Sequence, residues 1–237
     1  MPLWVHGKPC GVVSPRAIEA LRGVKGVKCG DQAIEINDPG DPSECLAQMA
    51  LALHQAGCIA KWRDELLDVW CDHNAVASIE RGAVRPLGLL TRAVHLNAWS
   101  QRGDLWVARR ALDKPTDPGM WDTLVGGLVG HGESDDLALE RESAEEAGLS
   151  PAQIAGREPI RSIYRMQRQV PEGFQYEEVL TSDCVLDDDV VPKNQDGEVM
   201  EIACLPVQKI EAMLLAGEFT VEASIVIAQS LLARPTN

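Results

Sequence analysis

Three glutamates, Glu142, Glu145 and Glu146, stand at i, i+3 and i+4 in a strongly charged segment. On an α-helix that spacing sets all three carboxylates on one face. Three like charges side by side repel one another unless a cation sits among them. An all-oxygen set suits hard divalent ions such as Mg²⁺ or Mn²⁺. Arg141 lies four residues before Glu145 and can brace the cluster by hydrogen bonding. The flanking residues specify the helix this chemistry needs. Ser134 can cap its N-terminus, Asp135 and Asp136 meet the positive end of its dipole, and Gly148 ends it. The same charges on an ordinary solvated face would do nothing, so their surroundings must decide.

Those surroundings are in register. Gly127 and Glu133 are followed by Arg141-Glu142-Ser143-Ala144-Glu145-Glu146-Ala147-Gly148-Leu149. Residues 127–149 resemble the Nudix box, a glycine and a glutamate followed by R-E-U-x-E-E-x-G-U, where U is bulky and aliphatic. Ser143 departs from the pattern at a position that packs the helix. The resemblance implies an α/β/α sandwich with a mixed sheet, the box forming a loop–helix–loop against it. It also implies that Glu142, Glu145 and Glu146 hold Mg²⁺ or Mn²⁺, helped by a backbone carbonyl at Gly126 or Gly127. Arg141 would belong to the catalytic group, and Glu133 would brace the loop. A metal-activated water would then cut a P–O–P bridge, a carboxylate taking its proton.

Flanking residues supply candidate substrate ligands. Arg109, Arg110 and Lys114 follow a strand-like run and can clamp phosphate oxygens, or can be a solvated surface group. Trp121, beside Asp122, can line a pocket or pack the core. His131, inside the box loop, is expected to be exposed and without a role. Glu177, Glu178, Glu198 and Glu201 are candidates for an extra ligand or base, with structural roles as the alternative.

Outside the box the chain resembles a narrower branch, the Nudix hydrolases related to the N-terminal part of fungal thiamine pyrophosphokinase. Those proteins carry a small domain of unassigned function ahead of the Nudix domain. The resemblance rests on Trp62-Arg63-Asp64-Glu65, on Gly88 with Val94-His95-Leu96-Asn97, and on Leu105-Trp106-Val107-Ala108-Arg109-Arg110. It rests also on residues 114–122 and 192–199. It implies hydrolysis of thiamine diphosphate, or of its oxidised or damaged forms, to the monophosphate. Trp62 and Arg63 would serve the substrate if the leading domain reaches it. ADP-ribose or another nucleoside diphosphate derivative is the rival substrate. An isopentenyl diphosphate isomerase would need a catalytic cysteine on a strand near the site, and residues 94–99 contain none. A non-enzymatic module would be expected to lose box glutamates, and all are present.

The elements that must position these residues follow from periodicity and turn chemistry. In the first third, residues 14–22 read as a helix capped by Ser14 with Pro15 at its first position, and residues 44–56 as a second. Turns fall at residues 37–40 and 41–43, and residues 62–69 fit helix or strand. Strands are expected at 94–99, 105–108, 124–129, 160–164, 178–185 and 198–205, and helices at 135–147, 207–215 and 221–232. The texture changes near residue 86. We therefore expect a small α+β domain over residues 1–86 and the Nudix domain over 87–237.

Bulk properties bound the partners. The formal net charge is −14, from 36 acidic against 22 basic residues. That field disfavours nucleic acid and anionic membranes, yet cations in a carboxylate pocket still admit a small phosphorylated substrate. Residues 1–11 do not read as a signal sequence, and no apolar run approaches a bilayer span. Seven scattered cysteines lack the close pairs of a zinc site. They read as reduced, structural thiols of a cytoplasmic protein, a monomer or homodimer.

Overall fold

The computed structural model describes residues 1–37, 40–114, 116–195 and 197–234. The turn expected at Asp38-Pro39, and Pro115 and Asp196 of the resembling segments, lie outside the described residues. The chain divides into two compact units. The first comprises Met1–Arg92, Val129–Glu133 and Arg165–Glu178; the second comprises Ala93–Leu128, Ser134–Tyr164 and Val179–Asn237.

In the first unit, four short strands form a sheet of order β2-β1-β4-β3: β1 (Pro2–Val5), β2 (Lys8–Val12), β3 (Val27–Cys29) and β4 (Ile34–Ile36). The pair β1/β4 is parallel, while β1/β2 and β3/β4 are antiparallel. Helix α1 (Pro15–Leu21) starts as its sequence specifies, the Ser14 side chain accepting the Ala17 amide and Pro15 opening the first turn. Helix α2 (Pro42–Gln55) is capped by Asp41 and buries Leu46, Met49, Ala50 and Leu53, the stripe read from spacing. Residues 62–69, left open between helix and strand, lead into β5 (Leu66–Cys71), which pairs antiparallel with β6 (Asn74–Glu80). The short helix α3 (Val84–Leu87) follows. Cys10 and Cys71 are joined by a disulfide, which corrects the expectation of reduced thiols throughout. They are 61 residues apart, and only the fold brings β2 to β5, so spacing could not reveal the pair. Cys29, Cys45, Cys58, Cys184 and Cys204 stand outside this cross-link, and burial pushes the Cys184 thiol up to about 12.

The larger sheet runs β11-β12-β7-β8-β13, built from β7 (Leu90–Trp99), β8 (Leu105–Arg110), β11 (Arg161–Val170), β12 (Gly173–Val185) and β13 (Val199–Leu205). Strands β7, β11 and β12 contribute residues to both units. Strands β7 and β8 pair only at Ala98↔Trp106 and Trp99↔Leu105. Beyond that they part, and each takes a new neighbour: β9 (Trp121–Thr123) pairs with β8, and β10 (Val125–Leu128) with β7. Helix α4 (Asp135–Ala147) covers the face onto which Gly127 opens. Helices α5 (Val207–Leu215) and α6 (Val221–Ala233) close the other face over Trp99, Leu105, Val107 and Phe219. This is the expected α/β/α sandwich. No described helix is long and apolar enough to cross a membrane.

Candidate active site

Helix α4 begins and ends where its caps require. The Ser134 hydroxyl accepts the Leu137 amide, and Gly148 takes the left-handed conformation at φ +65°. Ser143 is fully buried on the inner side, its hydroxyl without a hydrogen-bond partner among the described residues. The departure from an aliphatic residue therefore leaves a polar atom where the pattern calls for carbon.

The three glutamates are divided rather than gathered. Arg141 donates from Nη1 to Glu142 Oε1 at 2.8 Å and to Glu145 Oε2 at 3.2 Å, and from Nη2 to the Leu128 carbonyl at 3.1 Å. Glu146 turns elsewhere: its Oε2 accepts the Gly126 amide at 2.9 Å, and its Oε1 lies 4.0 Å from Lys114 Nζ. In this arrangement Arg141 holds Glu142 and Glu145 together, while Glu146 points to the Gly126 amide and Lys114. Among the described residues no three acidic, histidine or cysteine side chains form a metal nest. The physical reason is competition, since a guanidinium holds one pair while an amide and an ammonium hold the third member.

Even so, the donor set suits a hard cation. Glu142 lies directly against Gly127, so close that a Cβ there would overlap its carboxylate. Burial, and then the negative charge of Glu142, push the Glu146 carboxyl up to about 8, while the Gly126 amide and Lys114 pull it back. Two neighbouring carboxylates, one of them buried, beside glycine backbone make the all-oxygen donor set that a hard cation prefers.

Glu146 borders a small cleft with Arg110, Lys114, Asp122, Thr123, Gly126 and Glu198. The cleft lies beside the end of β9 and the start of β10, where β7 and β8 have parted. Of the expected phosphate clamps, Lys114 faces the carboxylates, in an ion pair with Glu198. Arg110 is committed to its own loop: it donates to the Thr116 carbonyl from Nε and Nη2, and to Asp122 Oδ2 at 2.9 Å from Nη1. Arg109 likewise donates to the Gly119 carbonyl at 3.0 Å, faces Glu201 at 3.8 Å, and stacks over the Trp121 ring. Trp121 itself packs against the core beneath α5 and α6.

Other candidates fall within the first unit. Trp62 donates its indole N–H to Asp64 and stacks near His54, and the Arg63 amide is held by Glu80. Glu177 accepts from Thr91 and Gln175, and Glu178 pairs with Arg92 and Arg165. Glu133 braces the box loop, accepting the Gly130 amide at 2.8 Å. His131, expected to be exposed and without a role, is half exposed and lies 2.6 Å from Asp68.

The sequence reading gave no role to His95, yet it packs directly under the site. It pairs with Gly126 across β7 and β10, and a Cβ on Gly126 would come within 3.0 Å of its Nδ1. The Thr123 hydroxyl donates to the Val125 carbonyl at 2.8 Å, so it accepts the Nδ1 proton of His95 at 3.0 Å. Burial holds the imidazole below its ordinary pKa and keeps it neutral. The one signal in the sequence was its place on an alternating strand beside a double glycine.

The chain is 34% identical to Nudix hydrolase 20, chloroplastic, of Arabidopsis thaliana over 92% of its own length and 63% of that relative's. It is 34% identical to Nudix hydrolase 24, chloroplastic, of the same plant, over 74% of its length and 49% of the relative's. The chain thus spans about half to two thirds of the length of these relatives. Among solved structures, DR0079 from Deinococcus radiodurans superposes with a TM-score of 0.53 at 23% identity, over 72% of this chain and 100% of that one. The NUDIX domain family model matches residues 89–225, more than half of the sequence. With the box glutamates on α4 and the sandwich around them, the chain belongs to the NUDIX family.

Proposed function

We propose that this protein hydrolyses the diphosphate linkage of a small organic diphosphate, with thiamine diphosphate or its oxidised forms as the preferred substrates. One observation carries the reaction class: the buried Glu146 carboxylate, held by the Gly126 amide beside Glu142 in a cleft that also contains Lys114. A divalent cation, Mg²⁺ or Mn²⁺, would supply charge neutralisation on the bridging phosphates and acidify a water. Glu142 and Glu146 would hold it, with backbone oxygen at Gly126 or Gly127 and with Glu145 once released from Arg141. The water oxygen bonds to phosphorus, the P–O bridge breaks, and a carboxylate takes the water proton. Lys114, which faces Glu146 in that cleft, would meet a phosphate oxygen, whereas Arg110 and Arg109 bond within the loop that carries it.

Support for the thiamine compounds comes from the segments outside the box, from Trp62 to residue 199, that resemble the thiamine pyrophosphokinase-related branch. The test is a phosphate-release screen with Mg²⁺ and with Mn²⁺. It pairs thiamine diphosphate and its oxidised analogues with ADP-ribose, nucleotide sugars and dinucleoside polyphosphates. We expect the thiamine compounds to give the highest kcat/KM, and chelation to abolish turnover. Faster turnover of ADP-ribose than of every thiamine compound would assign the chain to nucleoside diphosphate derivatives instead.

A further inference from the structure

Asp68 sits in the middle of β5, between the buried Leu67 and Val69, and is itself only 9% exposed. A carboxylate there is costly unless its oxygens are satisfied. Both are engaged by the box loop: Oδ1 lies 2.6 Å from His131 Nδ1, and Oδ2 accepts the Gly132 amide at 3.4 Å. The hairpin β5/β6 has no use for a charge at this position, since its ladder pairs Asp68 with Ser78 through backbone groups.

Every amide of the loop Val129–Glu133 can be traced to an acceptor. The Val129 amide goes to the Arg92 carbonyl at 2.9 Å, and the His131 amide to the Leu66 carbonyl at 2.8 Å. Gly132 goes to Asp68, Gly130 to the Glu133 carboxylate, and Glu133 back to the Gly130 carbonyl. Two of the five bonds close within the loop. The other three end on β5 or at the start of β7, and Asp68 is the sole side chain among those three acceptors. The loop begins immediately after Leu128, whose carbonyl holds Arg141, and ends immediately before Ser134, the cap of the glutamate helix.

We propose that Asp68 is a positioning residue of the active site. By holding His131 and Gly132 it fixes the path of the chain between Gly127 and the helix that bears Glu142 and Glu146.

The test compares Asp68→Ala, Asp68→Asn and His131→Ala in the full chain, using amide hydrogen exchange, Mn²⁺ titration calorimetry and steady-state kinetics. Asp68→Ala should raise exchange across residues 129–134 at least tenfold. It should weaken Mn²⁺ binding several-fold, and lower kcat tenfold or more with KM changed less than threefold. Asp68→Asn keeps an acceptor oxygen and should recover part of each loss. A folded Asp68→Ala with wild-type loop exchange, or with only a lowered melting temperature and unchanged kcat and Mn²⁺ affinity, would overturn the proposal. If Asp68→Ala does not fold, His131→Ala decides, because it removes one bond from the exposed side; unaltered loop exchange there also overturns it. The kinetic arm rests on the hydrolase reading. A wild type that turns over no diphosphate would defeat that reading alone, leaving exchange and Mn²⁺ binding to judge Asp68.

Discussion

Glu146 concentrates the chemistry of the site in one titration. Its folded pKa, about 8, stands above the ordinary 4.5, so the folded state binds the extra proton between those values. Stability must then fall as pH rises through that window, by on the order of a few kcal/mol at full ionisation. We expect chelator-treated protein to lose denaturant resistance from pH 5 to pH 8, and Glu146→Gln to flatten that slope. Adding Mg²⁺ or Mn²⁺ should stabilise more at pH 8 than at pH 5, because cation and proton compete for the same carboxylate. Glu146→Gln should also reduce kcat by about 10²-fold or more. A pH–stability curve identical in wild type and variant would remove Glu146 as the titrating group.

At the scale of elements, the loop between β8 and β9 carries Lys114 to the cleft. Arg110 holds it at Thr116 and at Asp122, both bonds half-buried. Arg110→Ala should raise KM several-fold through the freed Lys114. It should cost about 1–3 kcal/mol, because Asp122 Oδ2 loses its guanidinium while Oδ1 keeps the Thr123 amide. Arg110→Lys cannot make the forked contact and should stay defective; urea melts and kinetics matching wild type would refute the brace. Elements with strong local signals were legible in the sequence. Helices α4 and α5 fall on the expected residues, because Ser134 and Gly148 mark the ends of one and apolar spacing marks the other. Strand β11 extends well past the expected residue 164, since Arg165, Gln167, Arg168 and Gln169 show no apolar alternation. The three-residue strands β3, β4 and β9 are too short for a period to register. The glutamates were legible because a helix brings i, i+3 and i+4 together. His95 with Thr123, and Asp68 with His131, were not, because 28 and 63 residues separate them and only sheet pairing or loop docking joins them.

For the whole molecule, the Cys10–Cys71 disulfide closes 61 residues of chain within the first unit. Restricting a loop of that length in the unfolded state contributes on the order of 2–4 kcal/mol. Excess reductant, or Cys71→Ser, should lower the urea midpoint accordingly, and thiol titration of the urea-unfolded, unreduced protein should find five thiols. Seven titratable thiols with an unmoved midpoint would show that no such cross-link exists. The accounting of the box loop bears on descent as well as on stability. The family segment, residues 89–225, contains every box glutamate but neither Leu66 nor Asp68. A recombination event at residue 89 would therefore transmit the motif and discard two acceptors that fix its loop. Exchanges between homologues should stay active only when residues 66–68 and 129–133 come from the same parent, so that every amide of the loop keeps its acceptor.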